Sequence, residues 1–400
     1  MADPLNILHT IELETLYPIV RCELTLKEPI NVQKLERAVE LVGQVVPEIF
    51  AKYRIQDNVF VPLDRDPKTI VSKVNSYSED LVTQFDLLRG PQVKMIVVAN
   101  KLIVYLSHIL TDGAGSKQFL YLLADCYNQQ RMAGGLTNHQ GIDEIKQLID
   151  QTPQQVSSKA DHPAKPLYLP ALADRQSAKY EVIRTQLNAK QFAELHNVTQ
   201  NIGVTLNDFF MAAFGKTVQQ YCGVPTIALA CPTDMRQFLT VEAKQQLRIQ
   251  NLTARYNFAV ESEVTESVMQ AAQKVHEQMT TNKQRKQFLQ SVRTLVTEVG
   301  KGTAIDKLQE IVEQNYHVRP IAYTNFGVID DKQLRFTDNS IESCLMTGSF
   351  RRLPMYQVAI STFAGRLTLA ANMIGSDQER QFGKAVLDHL KLKLLAVSAS

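Results

Sequence analysis

Tryptophan is absent, and aromatic residues make up only 7% of the 400 positions, leaving no sign of a stacking surface for nucleic-acid bases. An excess of charge is missing too, with 43 Lys plus Arg against 41 Asp plus Glu. Such a chain has no strong field to hold a phosphate backbone or an anionic membrane, so nucleic acid is not expected as a partner. No apolar run reaches the roughly 20 residues that span a bilayer. Even KMIVVANKLIVYL is broken by Asn100 and Lys101. The opening MADPLNILHTIELE places a Pro and acids where a secretory signal needs a basic stretch followed by an apolar one. A soluble, cytoplasmic protein without a transmembrane segment is therefore expected. Cysteines are few, with Cys22, Cys126, Cys222, Cys231 and Cys344 scattered and no CxxC spacing. Free buried thiols are expected, and no metal site.

A chain of this length suits two domains, each with its own core. Between Gln151 and Ala178 lie several prolines and many small polar residues, the composition of an extended connection. The expected division is therefore 1–160 as a first lobe, 161–178 as a linker and 179–400 as a second lobe. In the first lobe an apolar strand from Tyr17 to Leu26 precedes a helix capped by Asn31. That helix carries Val32, Leu35, Ala38, Val39 and Val42 at helical spacing. QVKMIVVANKLIVYLSH reads as two strands joined by a tight turn at Asn100 and Lys101, with His108 ending the second. A helix bearing Phe119, Leu120, Leu123 and Tyr127 follows. The second lobe opens the same way, with the strand YEVIRTQL and a helix capped by Asn188, so the lobes are expected to be related copies. A buried helix starts at Thr205, and further strands are expected around Ile227 to Cys231, Ile321 to Val328 and Met355 to Phe363. The architecture expected is mixed α/β.

The segment SHILTDG, Ser107 to Gly113, carries the clearest chemistry. The unperturbed pKa of histidine lies close to neutrality, so His108 suits a general base that takes a proton from a hydroxyl or amine and later returns it. Asp112 and Gly113 fit a tight turn, with the carboxylate free to fix the loop through a charged partner. Taken alone, a strand-end His is more often simply packed. VGKGTA at Val299 to Ala304 lacks the first glycine of a phosphate-binding loop and reads as a helix break. NKQRKQ at Asn282 to Gln287 reads as a solvated basic face.

Read together, several segments resemble the superfamily of condensation domains and CoA-dependent acyltransferases. SHILTDG is similar to its HHxxxDG segment, FDLLRGP at Phe85 to Pro91 to its FDLxxGP segment, and LERAVELVGQVVPEIFAKYR to its early helix ending in Pro. GVTLNDFFMAAF at Gly203 to Phe214 resembles the TxND helix of alcohol acetyltransferases, and CPTDMR resembles their xxDxR strand end. The resemblance implies two chloramphenicol-acetyltransferase-like lobes forming a V, with an interlobe tunnel for an acyl thioester and its acceptor. It implies His108 as the base, Asp112 paired with Arg236 to hold the loop, and backbone amides near Gly113 as oxyanion donors. Asn325, in YTNFGVID, is implied as a substrate contact, and Ser107 is a second candidate. The implied co-substrate is acyl-CoA or a carrier-protein thioester, with no permanently bound cofactor. A small-molecule acceptor, a possible acyl carrier protein and a monomeric state complete the expectation. The family's first His is Ser107 here, so a second imidazole is not expected to share the work. The plant-type DFGWG loop is impossible without Trp. The leading reading is an alcohol O-acyltransferase. Carrier-dependent condensation and a non-catalytic binding relative are the alternatives.

Overall fold

The computed structural model describes residues 4–11, 13, 16–132, 134–154, 165–172, 178–316 and 319–396. In the first part of the chain these form β1 (Ile19–Leu26), α1 (Val32–Val45), β2 (Ala51–Arg54), β3 (Val59–Pro62), β4 (Val71–Lys73), β5 (Val93–Val98), β6 (Lys101–Ser107), α2 (Gly113–Gln129) and α3 (Asp143–Gln151). The second part begins with β7 (Lys179–Leu187), α4 (Ala189–Asn201), α5 (Leu206–Cys222), β8 (Thr226–Asp234), α6 (Val241–Gln245), β9 (Thr253–Glu261) and α7 (Val268–Gln284). It ends with α8 (Gln290–Gly300), α9 (Ile305–Asn315), β10 (Ile321–Ile329), β11 (Ile341–Thr347), β12 (Tyr356–Phe363), β13 (Arg366–Gly375) and α10 (Asp377–Ala396).

Local chemistry sets the helix starts. The Asn31 side chain accepts from the Lys34 amide at the head of α1, and the Thr205 hydroxyl accepts from the Asp208 amide at the head of α5. Asn188 and Gln191 form a reciprocal capping box on α4. On α1 the buried residues Leu35, Ala38, Val39 and Val42 recur every three or four positions, as an amphipathic helix requires. Helix α5 is buried all round from Asp208 to Gln219, which makes it a central element of its lobe.

The first sheet runs β11-β1-β6-β5-β4 and the second β10-β12-β13-β7. In the first sheet β4 lies parallel to β5, which is antiparallel to β6, which is antiparallel to β1. In the second, β10, β12, β13 and β7 repeat that sequence of directions. Each lobe also follows its first strand with an asparagine-capped helix, so the two share one topology.

Three details differ from the sequence reading. The turn between β5 and β6 falls at Ala99 and Asn100, one residue earlier than expected, because Ala99 takes the left-handed conformation at φ 47°. Strand β11 belongs to the second half of the chain but pairs with β1, Met346 opposite Cys22, so it completes the first sheet rather than the second. Of the expected linker, residues 161–164 and 173–177 lie outside the described residues, but Leu167 and Leu169 are buried in the second lobe's core.

The lobes are joined by more than the chain. Glu23 on β1 accepts from Arg184 on β7 at 2.9 Å, and the Tyr180 amide donates to Asp80 at 3.0 Å. Arg21 and Glu23 also pair at 2.7 Å, and burial opposed by Arg21, Arg184 and Lys101 leaves the Glu23 carboxyl lowered to about 2. At the N-terminus, the short 3-10 helix Pro4–His9 buries Leu5, Ile7 and Leu8 in the second lobe's core. Among the described residues no helix is long and apolar enough to cross a membrane, and no cluster of His, Cys, Asp and Glu is arranged to hold a metal ion.

Candidate active site between the lobes

Strand β6 stops at Ser107, one residue before the expected end, and His108 opens the turn that leads to α2. The backbone holds it from both sides: its amide donates to Pro18 O at 2.8 Å, and its carbonyl accepts from Asn251 Nδ2 at 3.3 Å. The ring is half-buried, with Nδ1 shut off from solvent, so Nε2 is the nitrogen left to meet a ligand. Burial lowers its pKa below the ordinary histidine value, partly offset by its own carbonyl and by Asp112. The ring is thus held neutral, the protonation state a base needs.

Asp112 caps α2 and anchors the loop. Its Oδ1 accepts from the Gly115 amide at 2.8 Å and its Oδ2 from the Leu252 amide at 2.6 Å. Both oxygens also accept from Arg236 Nη1, at 3.0 and 2.9 Å. The Arg236 fork is shared further: Nη1 reaches Asp234 at 2.8 Å, while Nη2 donates to the carbonyls of Arg248 and Gln250 at 2.8 and 2.7 Å. Arg236 itself is buried, and although burial works against its charge, Asp112 and Asp234 raise its pKa. One planar cation therefore ties the His108 loop of the first lobe to two segments of the second. A Cβ at Gly115 would lie 2.2 Å from Thr111 Oγ1 and 3.0 Å from Arg236 Nη2, so only glycine admits the guanidinium this close.

A cavity of about 490 Å³ opens beside these groups and draws its walls from both lobes. His108, Gly113, Ala114 and Lys117 face it from the first, and Asn207, Cys231, Tyr323 and Asn325 from the second. Gly113 and Ala114 are the first two residues of α2, whose leading amides have no partner within the helix. Asn325 Nδ2 donates to Asn207 Oδ1 at 3.0 Å, Tyr323 Oη donates to the same oxygen at 2.9 Å, and Asn207 Nδ2 reaches Cys231 Sγ at 3.3 Å. Burial pushes the Cys231 thiol up to about 11, which makes it a poor nucleophile. Lys117, one turn into α2, donates to Phe326 O at 2.8 Å and has its pKa lowered by burial.

The structure thus brings His108, Asp112, Gly113, Arg236 and Asn325 to one place. Ser107 is not among them: it is fully buried and lines none of the cavity. The basic run 282–287 is also less solvated than expected, since Asn282 and Gln287 are buried against the backbone of Asn257, and exposed Lys283 lines the cavity. The break at VGKGTA is present, with Gly302 in the left-handed region between α8 and α9.

Of the cavity residues that the sequence reading missed, two matter most. Asn207, the hub of the second-lobe polar group, sits inside the quoted TxND segment, which was a usable signal. His9 offered none. Its ring stacks on His108 with centroids 3.7 Å apart and planes 23° from parallel, so a second imidazole is present after all, supplied by the N-terminal helix. Tyr316, at the end of α9, meets His9 edge-on at 6.3 Å, and Arg255 lies over the Tyr316 ring at 4.2 Å.

No protein-family model matches the chain, and no curated protein sequence matches it. Solved structures do. Polyketide synthase associated protein 5 from Mycobacterium tuberculosis superposes with a TM-score of 0.65 at 14% identity, over 99% of this chain and 97% of that one. Trichothecene 15-O-acetyltransferase from Fusarium sporotrichioides gives 0.66 at 12% identity, over 99% and 95%. The first condensation domain of the calcium-dependent antibiotic synthetase gives 0.64 at 12% identity, over 99% and 94%. This chain has the two-lobed α/β fold of these solved structures. The likeness spans both lobes, so the cavity lies within the shared fold.

Proposed function

We propose that the chain is an acyltransferase that moves an acyl group from a thioester, acyl-CoA in the first instance, to the hydroxyl of a small acceptor. The observation that carries the reading is His108 itself: a neutral imidazole with Nδ1 sealed, on an interlobe cavity, in a loop pinned by the buried Asp112 and Arg236 pair. In the proposed step Nε2 takes the acceptor's proton as its oxygen attacks the thioester carbonyl. The tetrahedral intermediate then collapses, the C–S bond breaks, and the imidazolium returns the proton to the departing sulfur. No acyl-enzyme is needed, in keeping with the raised Cys231 thiol. The amides of Gly113 and Ala114, at the positive end of the α2 dipole, supply oxyanion donors on the same wall. Asn325 and Asn207 offer the acceptor paired amides across the cavity.

A carrier-bound donor is the second reading, favoured by the similarity to the first condensation domain of the calcium-dependent antibiotic synthetase. Incubating the purified chain with a panel of acyl-CoAs and alcohols, and in parallel with acyl-loaded carrier protein and amines, separates the two. Ester and free CoA in the first arm support the proposal. Product in the second arm alone replaces it with carrier-dependent condensation, and product in neither arm sinks both.

A further inference from the structure

We infer that His9 is a positioning residue for His108: a neutral imidazole whose ring face packs against the base, keeps water from that side and fixes the ring for proton transfer. The inference rests on the reading of His108 as a base. Its observations are geometric. The rings stack at 3.7 Å, within ordinary van der Waals contact, and both face the interlobe cavity. His9 Nε2 is buried with no hydrogen-bond partner among the described residues, so none of them holds that nitrogen for the fold's hydrogen bonding. The scaffold behind His9 is tied to His108: Asn251 Nδ2 donates at 3.3 Å both to Leu5 O, in the His9 helix, and to His108 O. Gln309 on α9 holds the next residue, donating to the Thr10 hydroxyl at 3.1 Å. Tyr316 closes the outer edge of His9.

The titratable and charged groups around this pair include Asp112 on the loop, with Arg236 and Asp234 behind it, Lys117 on α2, Tyr316 after α9 and Arg255 on β9, and Lys283, Arg319 and Arg351 line the same cavity. Asp112 is already occupied by Arg236 and two amides, so it cannot also grip the His108 ring as the carboxylate of a hydrolytic triad would. Beyond the hold of its own carbonyl, ring orientation comes from packing. His9 supplies that packing on one face, and its own charge is suppressed by burial and by His108, so the stack does not set two cations together when the base takes its proton.

The test compares the full-length wild type, His9→Ala and His9→Phe. Phenylalanine keeps an aromatic face and loses only the nitrogens. Acyl transfer is measured as kcat, KM and a pH profile, and the His108 ring is titrated separately by NMR, which needs no turnover. His9→Ala is expected to lower kcat by roughly ten- to a hundredfold at little change in KM, the scale of a misplaced catalytic group. With one face wetted, the His108 titration and the acidic limb of the profile move up towards about 6.5. His9→Phe is expected to restore both. An unmoved His108 titration in a folded His9→Ala protein overturns the inference. So does a His9→Phe protein as impaired as His9→Ala, since the nitrogen rather than the ring face would then be at work. A titration that moves and is restored by Phe, in a wild type that transfers no acyl group, supports the stack and overturns the acyltransferase reading instead.

Discussion

Replacing Arg236 by alanine removes one side chain and strands several partners. Asp112 loses both of its charged contacts, Asp234 loses one, and the carbonyls of Arg248 and Gln250 lose their donor. All of this happens at a site where Arg236 is only 6% exposed, so water does little to compensate. Breaking a buried ion pair from one side costs about 3–5 kcal/mol, because the remaining charge stays buried. Unfolding entropy runs at about 2.1 cal/mol/K per residue, or about 0.84 kcal/mol/K when all 400 residues unfold together. The melting temperature should therefore fall by about 4–6 °C. Arg236→Lys keeps the charge but not the fork, so it should fall between wild type and alanine. A double variant with Asp112→Asn should lose less than the two single losses combined, because the charge left alone in Arg236→Ala is then gone. Scanning calorimetry of wild type, Arg236→Ala, Arg236→Lys, Asp112→Asn and the double variant measures each term. A melting temperature within about 1 °C of wild type for Arg236→Ala, or strictly additive losses, would refute the pairing as the anchor of the loop.

Other outcomes follow from the same geometry. Gly115→Ala should destabilise the chain and impair transfer together, since its Cβ would strike Thr111 and the Arg236 fork; melting and kcat measured side by side check this. Asn207→Ala should raise KM for the acceptor more than Asn325→Ala does, because Asn207 orients both Asn325 and Tyr323; equal effects would argue against Asn207 as the hub. Burial lowers the pKa of both His9 and His108, so the unfolded chain binds their protons more tightly than the folded one. Stability from these groups is full above about 6.5 and falls as the pH drops below it, so melting temperature should decline from pH 7 to 5, and less steeply in His9→Phe. Glu23→Gln should weaken the lobe junction and flatten the separate acid-induced loss that sets in below about 4.5 as the pH falls towards the carboxyl's value of about 2.

Much of this was legible in the sequence wherever the signal was local. Asn31, Asn188 and Thr205 announced their helices through capping chemistry a few residues long, and the strand-turn-helix around His108 followed from apolar spacing. The Asp112 and Arg236 partnership came from resemblance, since nothing in their 124-residue separation encodes contact. What stayed hidden depends on non-local packing. Strand β11 lies in the stretch assigned to the second lobe and is not read as a strand from the sequence, and only the pairing of Met346 with Cys22 sends it to the first sheet. His9 sits in LNILHT, where a histidine beside Asn6 and Thr10 in a short, partly apolar segment carries no motif. Ser107 was a different matter, because adjacent residues at a strand end point to opposite faces, so His108 on the cavity argued against Ser107 beside it.

The central claim is that Nε2 of His108 removes the acceptor's proton. Its most direct test is acceptor-dependent CoA release by His108→Ala beside wild type, both confirmed folded by calorimetry. The account predicts release by wild type and a loss of about 10²–10⁴-fold in kcat for the variant, the usual contribution of a positioned base. Equal rates in the two folded proteins would contradict it.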